Sequence, residues 1–484
     1  MISDIKDQIE RISLSPTSTI RETMQTINRG ALGLALLIEP ETKHFIGLVT
    51  DGDIRRALLK GYGLESLVSD IERPEARTAR VGTPVDRIAA MFNEPVRVVP
   101  LLNEDYQVVD LALFDRRMRL PVAEPSLSDK ELQYVSECIL TGWISSAGRF
   151  VTRFEQMLAD YCGVRFAVAT SNGTAALHLA LLALDIGPGD EVVVPTLTFI
   201  ATANAVSYTG ARPVFVDSES ETWNIDPSKI EEAVTSHTKA IIPVHLYGRP
   251  ANMDPILKIA LKRGLAVVED AAEAHGARYK GCCVGSIGDM GIFSFYGNKI
   301  ITTGEGGMIV TDNEDLAGKL RLLRDHGMSG NQRYWHPVMG YNYRLTNLQA
   351  AVGVAQMEKM DDILKAKRRI AQAYHEGLQN VSGISLQPEA PWGSGVCWLY
   401  SILVEPDVFG ATRDEVMAAL QAQNVETRPL FPPVHTQPIY NTGQILPVAE
   451  RLAKTGLSLP SAIGLQQDEI NRVIDTIITV GSSF

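Results

Sequence analysis

Lys299 follows Gly291-Ile292-Phe293-Ser294-Phe295-Tyr296-Gly297-Asn298, which reads as a short apolar strand running into a turn. A glycine-rich loop, Thr302-Thr303-Gly304-Glu305-Gly306-Gly307, comes next. Another apolar strand, Leu265-Ala266-Val267-Val268, delivers Glu269-Asp270 29 residues before the lysine. A strand-end lysine and a strand-end aspartate are the two groups that pyridoxal 5'-phosphate needs. The lysine forms a Schiff base with the aldehyde, and the aspartate pairs with the protonated ring nitrogen, keeping the ring an electron sink. Taken singly, the lysine reads as a surface residue and the aspartate as a helix cap. Their combination with further motifs favours the chemistry.

Phe166-Ala167-Val168-Ala169-Thr170 runs into Ser171-Asn172-Gly173-Thr174, and a helix follows from Ala175. Gly173 and Thr174 at a helix N-terminus offer free N–H groups, the positive dipole end and a hydroxyl, a set suited to a phosphate ester. No Gly-Lys-Ser/Thr follows, so this is not a Walker loop. Pro195-Thr196-Leu197-Thr198-Phe199 sets Phe199 at a helix head, where its ring could stack on a planar cofactor. Asp270 and Glu273 are three apart and share a face if a helix starts there. Glu273 could then reach the ring hydroxyl.

Residues 120–484 resemble the sugar-nucleotide aminotransferase family of fold-type-I pyridoxal-phosphate enzymes. The resemblance rests on Ser171-Asn172-Gly173-Thr174-Ala175-Ala176-Leu177, Gly189-Asp190-Glu191-Val192, Phe199-Ile200-Ala201-Thr202, Glu269-Asp270-Ala271-Ala272, Ser294-Phe295 with Lys299, and Gly304-Glu305-Gly306-Gly307. It implies that Ser294 also touches the phosphate. Gly340-Tyr341-Asn342-Tyr343-Arg344 matches a motif whose asparagine reaches the neighbouring subunit's cofactor phosphate. Asn342 is therefore expected to act across a homodimer or higher homo-oligomer. Asp325-His326-Gly327-Met328, Arg333-Tyr334-Trp335-His336-Pro337, Arg428-Pro429 and His435-Thr436-Gln437-Pro438 resemble members that aminate C4 of GDP-4-keto-6-deoxymannose with glutamate, releasing 2-oxoglutarate. His326, Trp335, His336, Arg428 and His435 are thus expected substrate contacts. UDP-linked 4-keto sugars are the alternative substrates, and lipopolysaccharide O-antigen biosynthesis is the expected setting. Family members that are 3-dehydratases carry His in place of the lysine, so Lys299 argues against that reaction. The competing class is a catalytically silent cofactor fold that senses nucleotides.

The elements that must position these residues change character near residue 120. From there strands alternate with helices, with strands near 166–170, 191–195, 213–216, 239–245, 265–269, 291–296 and 308–311. That alternation predicts an α/β domain with a mainly parallel sheet. Ser128 and Glu131 form a capping box that opens its first helix. Helical periodicity returns at Asn347 and runs to about Leu378. The expected domains are 1–117, a cofactor-binding large domain over 118–378 and a smaller α+β lobe over 379–484. Residues 1–117 hold a weak repeat of helix, strand, turn and strand: Thr19–Ile27, Leu32–Ile38 and Phe45–Val49, then Pro84–Met91, Val96–Leu102 and Val108–Leu113. The first copy ends in Val49-Thr50-Asp51-Gly52-Asp53 and resembles a CBS regulatory module, which implies that Thr50 and Asp53 hold an adenine nucleotide. The second copy ends in Phe114-Asp115-Arg116-Arg117 and lacks the pair.

The chain has 484 residues, is 45% hydrophobic and 21% charged, and carries a formal charge of −12. The charge argues against nucleic acid or an anionic membrane as partner. Five scattered cysteines give neither a disulfide framework nor zinc spacing, and read as reduced packing residues. The polar start Met1-Ile2-Ser3-Asp4-Ile5-Lys6-Asp7 is no signal peptide. A cytoplasmic protein without a metal is expected.

Overall fold

The structure is a computed structural model describing residues 9–30, 32–84, 87–88, 91, 98–113 and 120–482. The chain divides into two compact units, Met1–Met118 and Arg119–Phe484.

In the first unit two sheets repeat one plan. Ser13–Leu14 pairs parallel to Leu34–Ile38, which pairs antiparallel to Phe45–Thr50. Ala79–Arg80 pairs parallel to Val98–Leu102, which pairs antiparallel to Val108–Leu113. Each antiparallel ladder shifts register once, at Leu37/Ile38 and at Leu101/Leu102. The internal repeat is therefore structural, and each copy opens with a short strand that the sequence pattern did not reveal. Leu34, Leu36 and Val98 bury together with Ile12 between the copies. The segment Phe114-Asp115-Arg116-Arg117 and half of the expected Pro84–Met91 helix lie outside the described residues.

The second unit is built on a seven-stranded sheet. Its strand order is Phe166–Thr170, Gly307–Thr311, Met290–Ser294, Ala266–Asp270, Thr238–Ile241, Glu191–Pro195 and Arg212–Val216. The last five run parallel, and Gly307–Thr311 is antiparallel to both neighbours. The fold class is α/β, a mainly parallel sheet with helices on its faces, preceded by an α+β module. The continuous apolar runs, such as Val192-Val193-Val194, are buried, as strands covered on both faces must be. The expected strand 239–245 stops at Ile241, because Pro243 has no N–H to continue the ladder.

Ser128 and Glu131 pair as a capping box: the Ser128 N–H and hydroxyl both donate to Glu131 Oε2, at 2.8 and 2.6 Å. The periodic stretch after Asn347 is two helices, Asn347–Glu358 and Met360–Leu378, separated at Lys359. Lys359 leaves helical geometry there, and its Nζ donates to the Ser126 carbonyl at 2.7 Å. The second helix carries the four-stranded sheet of the C-terminal lobe, with Tyr374 and Leu378 buried against Tyr400, Ile402 and Leu457. All five cysteines are free thiols. Cys282 is exposed, because it sits on the outer position of a two-residue hairpin strand, and so is not a packing residue.

Candidate active site

The carboxyl ends of the parallel strands open into one cavity of about 740 Å³. This is where open α/β sheets place their ligands. Gly173, Thr174, Phe199, Asp270, Glu273, Ser294, Lys299 and Arg428 all face it.

Asn172 caps the helix Gly173–Ala183, accepting from Ala175 N–H at 2.8 Å. The N–H groups of Gly173 and Thr174 have no hydrogen-bond partner among the described residues. A Cβ at residue 173 would lie 2.8 Å from Ser294 Cβ, so only glycine lets the helix end meet the strand end. The result is a concave cluster of two free N–H groups, the Thr174 hydroxyl and the Ser294 hydroxyl. It fits a phosphate group.

Asp270 ends its strand inside the protein. Its Oδ2 accepts from Thr202 Oγ1 at 2.8 Å and its Oδ1 from Ala272 N–H at 3.2 Å. Burial raises its pKa. A cation facing it would reverse that penalty, so the site fits a protonated ring nitrogen. Glu269 beside it has a structural task. It accepts from the N–H groups of Gly285, Ile287 and Gly288 at 2.8, 2.6 and 2.7 Å, and from His245 Nε2 at 2.9 Å. His245 Nδ1 accepts from Ala251 N–H, which leaves the proton on Nε2.

Lys299 Nζ lies 3.4 Å from Glu273 Oε1 and 3.8 Å from the centroid of the Trp398 ring. Glu273 Oε2 accepts from Tyr247 N–H at 2.9 Å, and burial pushes this carboxyl up as well. Phe199 is half-exposed, with its ring 5.8 Å from that of Phe431. His275, behind Lys299, packs on Phe293 and Phe295; burial brings its pKa down to about 3, so it is neutral.

The expected substrate contacts divide. Arg428 lines the cavity. His435 does not. It is buried between Thr196 Oγ1, 2.6 Å from Nδ1, and Glu450 Oε1, 3.1 Å from Nε2. Both ring nitrogens are engaged in joining the strand end at Thr196 to the C-terminal lobe, which corrects its assignment as a substrate contact. His326, Trp335 and His336 are exposed and outside the cavity of their own chain. His326 Nδ1 lies 3.1 Å from Asp325 Oδ1, and His336 Nδ1 donates to the His326 carbonyl. Asn342 is exposed too, and accepts from Arg344 at 2.9 Å. Its neighbour Tyr343 reaches the cavity, and the Tyr343 carbonyl accepts from Ser171 N–H at 2.8 Å.

Sequence motifs do not include Tyr247, Trp398 or Phe431, and the motif that ends in Thr202 does not point to its bond with Asp270. Thr202 alone carried a signal, lying one helical turn after Phe199. In the first unit, Thr50 and Asp53 form a capping box: Asp53 Oδ2 accepts from Thr50 N–H and Oγ1 at 2.8 and 2.7 Å, and Arg56 donates to its other oxygen. Neither borders the cleft between the two copies, which is lined by Ser13, Ile38, Lys43 and Asp110 among others.

The sequence profile of the DegT/DnrJ/EryC1/StrS aminotransferase family matches residues 125–478. The chain belongs to this family. It is a pyridoxal-phosphate-dependent sugar-nucleotide aminotransferase. A CBS domain profile matches residues 2–60, the first copy of the N-terminal repeat. The chain is 51% identical over 359 residues to a GDP-perosamine synthase of Caulobacter vibrioides, across 74% of this chain and 96% of the relative. It is 46% identical to that of Escherichia coli O157:H7, across 74% and 97%. Among solved structures, S. venezuelae DesV superposes with a TM-score of 0.69 at 38% identity, covering 73% of this chain and 94% of that one. DesI, solved in the presence of its TDP-sugar product, gives 0.71 at 34% identity, covering 75% and 93%. Among the described residues no helix is long and apolar enough to cross a membrane, and no cluster of side chains could hold a metal ion.

Proposed function

We propose that the enzyme aminates C4 of GDP-4-keto-6-deoxymannose with glutamate, giving GDP-perosamine and 2-oxoglutarate. The observation that carries this reading is the 51% identity to a GDP-perosamine synthase over 359 residues, joined to a cavity that gathers Lys299, Asp270 and Thr174. Gly173, Thr174 and Ser294 hold the cofactor phosphate, Asp270 its ring nitrogen, Glu273 its ring hydroxyl, and Phe199 one face of its ring. Pyridoxal phosphate supplies an aldehyde for the amino group and a ring that withdraws electrons from the bonded carbon. Lys299 holds the aldehyde at rest. Its freed Nζ, once it has given up a proton, takes the Cα proton of glutamate and returns protons in the sugar half. Arg428 is the cavity's exposed-edge cation for an anionic part of a substrate. Asn342 serves the cofactor phosphate of a partner subunit in a homodimer.

Residues 1–117 are the regulatory module, 118–378 the cofactor-binding domain and 379–484 the small domain. The first copy would take an adenine nucleotide only if Thr50 and Asp53 gave up their mutual hydrogen bonds. We place the enzyme in the cytoplasm, where sugar nucleotides are made. The test is a panel of GDP- and UDP-linked 4-keto-6-deoxy sugars with glutamate. A GDP preference of at least about tenfold in kcat/KM is expected; a UDP preference of that size would replace the substrate assignment, and no amination of any sugar would overturn the reading.

A further inference from the structure

Trp398 lies in the C-terminal lobe, yet its indole stands against Lys299 of the large domain. Four contacts meet on this residue. Lys299 Nζ lies 3.8 Å from the ring centroid, within cation–π range. Trp398 Nε1–H donates to the Asn298 carbonyl at 2.7 Å, the peptide unit that leads into Lys299. Lys367 Nζ, fully buried, donates to the Trp398 carbonyl at 2.8 Å and to the Ser461 carbonyl at 2.6 Å. The ring also stacks on Tyr247, with centroids 6.2 Å apart and planes 15° from parallel, and the Tyr247 N–H holds Glu273. Tyr247 adopts a left-handed conformation, φ 53°, uncommon for a bulky residue. Gly248 beside it presses so closely on the Val396 carbonyl that a Cβ there would lie 1.8 Å from the oxygen. The loop is thus fixed by the chain that carries Trp398.

These contacts close a ring: Lys299 to Glu273, Glu273 to Tyr247, Tyr247 to Trp398, and Trp398 back to Asn298 and Lys299. We propose that Trp398 is a positioning residue that seats the free ammonium of Lys299 between its indole face and Glu273. The inference rests on Lys299 being the cofactor lysine. While glutamate or the sugar occupies the cofactor, the lysine amine is free and must stay within reach. A flexible side chain with four rotatable bonds loses that nearness unless something holds it. An aromatic face attracts the cation without taking a proton from it, so the amine is retained and still available as a base once it loses one. The other titratable groups around Nζ are Asp270, Glu273 and the neutral His275.

The test uses the full chain. Without cofactor, the Lys299 amine is labelled by trace acetic anhydride across a pH series and read by mass spectrometry of its peptide. Trp398→Leu is expected to lower the titration midpoint by about one pH unit, a tenfold rise in labelling at neutral pH. Trp398→Phe keeps a ring face and is expected to hold the midpoint within about 0.3 unit. With cofactor, Trp398→Leu should lower kcat about thirtyfold and change KM for the keto sugar less than twofold, as expected for lost orientation rather than lost binding. Should Trp398→Leu fail to fold, 5-fluorotryptophan in place of tryptophan keeps the shape and the Nε1–H while draining the ring face; a fall of about 0.3 unit supports the seat. An unchanged midpoint in the leucine variant, or in the fluorinated protein where the leucine variant does not fold, overturns it. Borohydride trapping separates the two readings: no cofactor trapped on Lys299 in the unaltered enzyme counts against the active-site assignment itself. Trapping there with a midpoint indifferent to Trp398 counts against this inference alone.

Discussion

At the scale of single residues, the site is a division of labour among strand ends. Lys299→Ala should retain cofactor, since the phosphate cradle and Asp270 are untouched, but lose turnover by at least about 10³-fold, because covalent linkage and proton transfer both go. Equilibrium dialysis and an absorbance-coupled assay read the two quantities; full activity in this variant would remove Lys299 from the mechanism. Gly173→Ala makes a subtler case. Alanine favours a helix by about 1 kcal/mol over glycine, so melting temperature is a poor measure. The new Cβ would meet Ser294 Cβ at 2.8 Å and prise the helix end from the strand end. Cofactor affinity is therefore expected to weaken about tenfold or more, some 1.4 kcal/mol, and unchanged affinity would show that the cradle is not the phosphate site. Asp270, Thr174 and Lys299 were legible in the sequence because each stands at the seam between an apolar run and a loop. Trp398 was not, because its role depends on the chain returning to Lys299 about a hundred residues later. His435 reads as a substrate contact from its local motif, yet its partners Thr196 and Glu450 come from two distant segments and consume both nitrogens.

At the scale of elements, the parallel strands are the part sequence reveals best, since burial on both faces demands unbroken apolar runs. The break at Lys359 is hidden, because both helices share one apolar periodicity and the interruption comes from contacts with Ser126 and Glu131 on another segment. The helix Met360–Leu378 also carries Lys367, whose pKa burial brings down to about 8. The sign follows from linkage. Below pH 8 folded and unfolded chains both hold the proton, and the full cost of burying the charge is present. Between pH 8 and about 10.5 the unfolded chain binds more protons than the folded one, so stability rises with pH. The gain is of order 3 kcal/mol. In paired denaturant titrations, the unaltered protein should gain that much relative to Lys367→Met across this range. A difference that stays flat with pH would show that the native lysine titrates normally.

At the scale of the whole molecule, a cavity of about 740 Å³ draws its walls from both the sheet and the C-terminal lobe of the second unit, and every residue proposed to hold the cofactor lies after residue 170. A chain beginning at Met118 is therefore expected to fold and keep kcat within about twofold. Leu120 must be retained, because its N–H and carbonyl bond Asn424 and Glu426. A folded but inactive truncation would make the N-terminal unit part of the site. The assembly raises the remaining question. Asn342 is exposed on the segment whose neighbour Tyr343 lines the cavity, and it stands clear of its own chain's phosphate cradle. A side chain placed so close to a site, yet outside it, is suited to complete the same site in a second copy related by a two-fold axis. Lys299→Ala and Asn342→Ala should each be nearly inactive alone. When the two variants are mixed and allowed to exchange subunits, the mixed dimer holds one site with both lesions and one with neither. Random pairing makes half of the dimers mixed, and each has one intact site of two, so about a quarter of the unaltered activity should return. Recovery should track the mixed-dimer fraction measured by native mass spectrometry. Proven exchange without recovery, or a fully active monomer by light scattering, would mean that each chain completes its own site.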